Sequence, residues 1–286
     1  VTEPGQVLTE TIEAGTGPVG ADPLDNVLWS ALSGRQTTFA ERVGDAARFQ
    51  TDVAPFAAMA GGPGEWAWDD LAAVVGPGGP AVLFFVDEEP PAGWRSVDRL
   101  GLVQMVATDA FVDAPEPAAR PLGPDDVPAM LDLVGRTRPG PYLQRTIELG
   151  TYLGVFDGDA LIAMAGERLR VPGMTEISAV CTDPAYQGRG LATRLMRAVA
   201  AGIRARGETP FLHAAATNAT AIRLYEHLGF ALRATTVFRF VEAPGAAEPG
   251  PADGDDQIAG IPEPRADEPG GWATDDDPFV RPGECG

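Results

Sequence analysis

Lysine is absent from this sequence. All 21 basic residues are arginine, and 41 acidic residues outweigh them for a formal net charge of −20. A Walker phosphate loop requires G-x-x-x-x-G-K-[ST], so a chain without lysine cannot carry one. Nucleic acid and anionic membrane are poor partners for so acidic a chain, because their phosphates are repelled. The exclusive use of arginine reads as a genomic composition bias. Cysteine is scarce too. Cys181 falls in a predicted strand and Cys285 is the last residue but one. They define neither a disulfide framework nor a zinc site, and a cytoplasmic location is expected. No apolar run is long enough to span a bilayer. The opening "VTEPGQVLTE" lacks the basic-then-apolar order of a secretion signal.

What is present divides the chain into parts. Residues 1–24 are polar and rich in Gly and Pro, and a flexible N-terminus is expected there. Helix-like stretches at 26–32 and 65–75 and strand-like runs at 81–87 and 100–109 predict a small α/β module over 25–115. "VDAPEPAARP" reads as a linker. Residues 242–286 hold 12 acids and two arginines, a net of −10 that is half the charge of the chain. With Pro, Gly and no periodicity, a disordered acidic tail is expected.

Residues 119–241 are more regular. Helices are predicted at 125–136 and 142–149, and "TYLGVFDGDALIAMAGERLR" is a hairpin with Asp157 and Gly158 at its turn. A strand at 174–182 leads into a long helix where Leu191, Leu195, Val199 and Ile203 recur every four residues. A strand at 209–216 precedes "NATAIRLYEHLGF", a helix with Ala221, Leu224, Tyr225 and Leu228 on one face and Gly229 as its stop.

Between the strand at 174–182 and the long helix lies "DPAYQGRGLATRL". The first N–H groups of a helix lack partners within it, and its dipole adds partial positive charge. Gly188 and Gly190 remove Cβ atoms beside those groups, and Arg189 adds a full charge. The loop is therefore either an anion site or a compact turn. It is not a dinucleotide fingerprint, which needs G-x-G-x-x-G, since Thr193 stands where the third glycine belongs.

"QGRGLA" resembles the Q/R-x-x-G-x-G/A signature of the GNAT N-acetyltransferase superfamily, and "NATAIRLYEHLGF" is similar to that family's later helix. The resemblance spans roughly residues 121–241. The module before it resembles the first part of two-part GNAT proteins, including the branch related to glycine N-acyltransferase. The implied fold is α/β (α+β), a GNAT-type mixed and mostly antiparallel sheet flanked by helices, preceded by the smaller α/β module. The implied activity is transfer of an acetyl group from acetyl-CoA to a primary amine of a small molecule or peptide, directly and without metal. The alternatives are a different acyl group, or a CoA-binding sensor without turnover. A homodimer is a further expectation.

The resemblance also implies roles for residues. Gln187, Gly188, Arg189, Gly190, Leu191 and Ala192 would hold the pyrophosphate. Backbone groups of Val180 and Thr182 would pair with the pantetheine arm, and the backbone of Cys181 would polarise the thioester carbonyl. The Cys181 thiol itself reads as packing. Asn218 would bond the pantetheine, serve as a helix N-cap, or both. Tyr225 is the general-acid candidate for the leaving thiolate, against a reading as core packing. Glu176 is the general-base candidate, its pKa expected to rise by partial burial, against a reading as partner of an arginine such as Arg168. Glu167 is the second base candidate. The first two helices and their connection, here "GRTRPGPYLQRT", would shape the acceptor side, where Arg136, Arg138 and Arg145 are either acceptor-recognising or surface charges, and His213 reads as satisfied packing.

Overall fold

The computed structural model describes residues 22–62 and 64–245. The chain begins with α1 (Val27–Ser33), capped by the Asn26 side chain, which accepts from the Trp29 N–H at 3.4 Å. Three short strands, β1 (Ala40–Val43), β2 (Ala46–Phe49) and β3 (Ala57–Met59), form a small antiparallel sheet. Strands this short carry too few alternations to be read from sequence. Then follow α2 (Trp68–Val75), β4 (Pro80–Phe84) and β5 (Arg95–Ala107).

The later part comprises β6 (Ala119–Pro121), α3 (Val127–Thr137), β7 (Tyr152–Asp157), β8 (Ala160–Val171) and β9 (Met174–Thr182). It ends with α4 (Leu191–Ala205), β10 (Thr209–Ala215), α5 (Ala219–Leu228) and β11 (Phe230–Glu242). The expected helix over 142–149 is only a 3-10 turn, Thr146–Leu149. The Thr146 hydroxyl accepts from the Leu143 N–H at 2.8 Å and donates to the Val53 carbonyl at 2.6 Å, which diverts the backbone from a longer helix.

The principal sheet has eight strands in the order β4-β11-β5-β10-β9-β8-β7-β6. Every neighbouring pair is antiparallel except β9 and β10. The fold is therefore the expected mixed, mostly antiparallel sheet flanked by helices. The division at 115–119 does not survive. β5 lies between β10 and β11, with Val103 opposite Ala214 on one side and Thr235 on the other. The early residues complete the later sheet, a pairing that no local pattern encodes. The outer boundaries move as well. Leu24 is buried, and its carbonyl accepts from the Gln104 amide, while Ala243 is buried at the far end of β11. The rest of the expected flexible N-terminus and acidic tail lies outside the described residues, as does Cys285.

Helices α4 and α5 cover one face of the sheet, while α1 and α3 lie on the other. The predicted stripe Leu191, Leu195, Val199 and Ile203 is buried, each side chain contributing roughly 2 kcal/mol by removal from water. Among the described residues no helix is long and apolar enough to cross a membrane.

Candidate functional site

Among the described strands of the principal sheet, the one parallel pair is short. β9 and β10 are in register at Met174–Thr209, Thr175–Pro210 and Glu176–Phe211, and then separate. One edge of the outer half of β9 is thereby left without a neighbouring strand. A bulge sits there. Ala179 has φ +51°, and the β8 register slips between Gly166–Ser178 and Met164–Cys181. Its effect is a change of face. Ile177 packs among the α4 side chains, whereas Cys181, four residues on, packs with Met130, Leu133 and Tyr142 on the α3 side. In a regular strand the two would share a face.

Beyond the bulge the Asp183 N–H donates to the Ile162 carbonyl at 2.8 Å. Alternation then turns the Cys181 peptide toward β8 and the Val180 and Thr182 peptides toward the open edge. The shared orientation of Val180 and Thr182 agrees with the sequence reading. The backbone of Cys181 does not face the opening, so it is not the group that polarises a carbonyl there. The Cys181 side chain is buried packing.

At the end of this edge the chain enters α4. Asp183 caps a short turn by accepting from the Ala185 N–H at 2.9 Å. Gly188 and Gly190 adopt φ +74° and +72°, a left-handed conformation that L side chains adopt only with strain, and apart from their adjoining residues no atom lies within 4 Å of where their Cβ would stand. No side chain caps α4 and no acid lies in its first turn. The helix ladder starts with the Arg194 N–H to the Gly190 carbonyl at 3.1 Å, so the N–H groups of Leu191, Ala192 and Thr193 precede it. Gln187, Gly188, Arg189 and Gly190 are exposed. The Arg189 guanidinium lies 4.7 Å from the centre of the Tyr186 ring, and the Tyr186 hydroxyl donates to Asp157 at 2.6 Å. An open, electropositive helix mouth of this kind suits a diphosphate. Arg194 instead pairs with Glu116 at 3.4 Å.

Between the separated strands lies a cavity of about 110 Å³. Residues 177–180 of β9 and 212–215 of β10 form two of its walls, and Tyr225 reaches it from α5. Tyr225 also packs edge-on to Phe230, with ring centres 6.2 Å apart. Asn218 is the N-cap of α5 and accepts from the Ala221 N–H at 3.0 Å. Residues 139–141 belong to the segment after α3 that was expected on the acceptor side. Sequence reasoning missed the other walls, Val82, Leu100, Leu102, Phe238 and Phe240, which come from β4, β5 and β11. Strand order brings them here, and no motif marks them.

Glu176 lies behind the cavity wall. Arg168 grips its carboxylate with Nε and Nη2, both at 2.8 Å, while His213 Nδ1 approaches at 2.8 Å and the Leu169 N–H at 3.3 Å. Burial alone would push this carboxyl up, but the Arg168 charge and the hydrogen bonds from Arg168 and His213 bring it down to about 2. The expected rise toward a base's range is therefore absent, and Glu176 is the arginine partner weighed above. Glu167 is also buried, but it pairs with Arg206 at 2.9 Å and does not line the cavity.

His213 lines the cavity, and its network assigns its tautomer. Gln104 Oε1 accepts from Arg233 at 2.8 Å, which turns the Gln104 amide nitrogen toward His213 Nε2 at 3.1 Å. Nε2 must then accept, and Nδ1 must donate to Glu176. Arg136 pairs with Asp132 and Asp183, and Arg145 with Glu148 and Asp52. These two are ion-paired and do not line the cavity. Among the described residues no group of three or more His, Cys, Asp or Glu side chains is gathered as metal ligands would be.

An eight-stranded mixed sheet, open between its two parallel strands and leading to an uncapped glycine-flanked helix, defines a class shared with known acetyltransferases. The family described as FR47-like protein matches residues 152–239. A GNAT-family protein of known structure from Novosphingobium aromaticivorans is 40% identical, with a TM-score of 0.72 over 78% of this chain and 99% of that one. The N-alpha-acetyltransferase RimI of Mycobacterium tuberculosis is 39% identical over 82 residues, which are 28% of this chain and 51% of that protein. The matched segment thus spans about half the length of that curated relative. A GCN5-related N-acetyltransferase from Kribbella flavida, 16% identical, shares the fold with a TM-score of 0.53 over 78% of this chain and 96% of its own. The chain belongs to the GNAT family of acetyltransferases.

Proposed function

We propose that this protein is an acetyl-CoA-dependent N-acetyltransferase acting on a primary amine by direct transfer. The observation that carries the reading is the separation of β9 from β10 beyond Glu176 and Phe211, which joins the mouth of α4 to Tyr225 along one open strand edge. The fit of the coenzyme rests on the uncapped helix mouth and the open space about Gly188 and Gly190. In this reading the N–H groups of Leu191 and Ala192, with Gln187 to Gly190, hold the diphosphate, and Arg189 adds charge. The outward peptides of Val180 and Thr182 hold the pantetheine arm as a neighbouring strand would. Asn218 keeps its cap of α5 and so fixes the helix that carries Tyr225. When bound, the coenzyme supplies an activated acyl carbon. Tyr225 donates its phenolic proton to the departing sulfur. Glu176 acts through Arg168 and His213 and accepts no proton from the amine.

Calorimetric titration with acetyl-CoA and thiol release with amines test the proposal together. Saturable binding with amine-dependent thiol release is expected. Binding without release from any amine would leave a coenzyme-binding protein without turnover.

A further inference from the structure

Transfer to an amine requires its nitrogen lone pair, so a protonated amine must lose its proton before it reacts. The two carboxylates expected to take that proton are both committed, Glu176 to Arg168 and Glu167 to Arg206. His213 Nε2 is occupied by Gln104. The acidity of the chain as a whole does not extend to the cavity lining. Among the described lining residues there is no Asp or Glu, and the one formally charged side chain is the buried Arg168. Its counter-charge Glu176 stands behind it, fully buried and outside the lining. The titratable groups facing the space are Arg168 from β8, His213 from β10 and Tyr225 from α5. The walls from β4, β5 and β11 bring only Val82, Leu100, Leu102, Phe238 and Phe240.

From this we infer that the acceptor is a weakly basic amine on an apolar body, taken up in its uncharged form. The inference rests on the acetyltransferase reading and narrows its substrate class. An ammonium group entering the cavity would lose its hydration and find no carboxylate in the lining to pair with. An uncharged amine meets apolar walls that suit a hydrocarbon or aromatic body. The population of the uncharged form then decides. Near pH 7 an α-amine adjoining a carbonyl is neutral roughly 300 times more often than a lysine-type amine. Polyamines and other polycations are excluded by the same argument, despite the acidity of the rest of the chain.

The test uses the full chain with acetyl-CoA and three acceptors: phenylalanine amide, 2-phenylethylamine and spermidine. Expected at pH 7 is a kcat/KM at least tenfold higher for phenylalanine amide than for 2-phenylethylamine, with spermidine lowest. The gap should close as pH rises and the stronger base loses its proton. Leu100→Glu, which puts a carboxylate on an apolar wall, should shift the ratio toward 2-phenylethylamine, with circular dichroism confirming the fold. Equal or better use of spermidine or 2-phenylethylamine at pH 7 overturns the inference. So does turnover of none of the three by protein that binds acetyl-CoA, a result that leaves the coenzyme reading standing. Failure to bind acetyl-CoA overturns that underlying reading instead.

Discussion

Arg168 and Glu176 face each other across neighbouring strands and form a two-pronged pair, Nε to Oε2 and Nη2 to Oε1, each at 2.8 Å, with both side chains buried. The Arg168 guanidinium also lies 4.9 Å from the centre of the Phe56 ring, so the early part of the chain packs against the site from behind. The pair holds the one charged side chain of the cavity wall in place and orients His213. Removing one partner leaves the other charged, buried and unmatched. Glu176→Gln is therefore expected to destabilise the protein by about 3–5 kcal/mol, read from the shift in urea midpoint at constant slope.

The same pair sets a dependence on pH. The Glu176 carboxyl has an ordinary value of 4.5 and is held near 2 in the fold. A folded-state pKa below the unfolded one contributes stability in full above the unfolded value. That contribution is lost as pH falls through the folded one. The expected loss lies between about pH 4.5 and 2 and is on the order of 3 kcal/mol. Urea midpoints measured across this range should fall steeply for the wild type and less for the double variant Arg168→Met/Glu176→Met. Parallel curves would show that other carboxyls dominate.

Tyr225→Phe keeps the ring that packs edge-on to Phe230 and removes only the hydroxyl. If that hydroxyl protonates the leaving sulfur, kcat should fall by about 100-fold or more. The Kd for acetyl-CoA should change less than threefold, about 0.7 kcal/mol or under. Unchanged turnover would return Tyr225 to core packing.

Gly190→Glu introduces both a strained residue at φ +72° and a negative charge at the mouth of α4. Strain alone costs about 1–2 kcal/mol, and Gly190→Ala isolates it. Coenzyme affinity should drop at least tenfold further in the glutamate variant than in the alanine one, by calorimetry. Equal affinities in the two variants would contradict the placement of the diphosphate.

Ala179 at φ +51° makes the face change of β9 without being a glycine. Ala179→Gly should leave stability within about 0.5 kcal/mol of wild type, since relief of strain offsets added chain entropy. Ala179→Val forces a β-branched residue into the left-handed region and should cost more than about 2 kcal/mol. Thermal melts of the two variants separate the outcomes.

Much of this was legible along the chain. The stripe on α4, the Asn218 cap and Gly229 stop of α5, and the glycines opening α4 are each set by residues within a few positions of one another. Helical periodicity, capping and left-handed backbone are local physics, so sequence alone determined these elements and the family they resemble. Only tertiary structure decided the rest. The insertion of β5 between β10 and β11, the apolar walls it brings to the cavity, and the capture of Glu176 by Arg168 and His213 depend on pairings between distant segments. A carboxylate's proton affinity is set by the charges around it. For Glu176 those charges come from neighbouring strands, and their arrangement exists only once the sheet has formed.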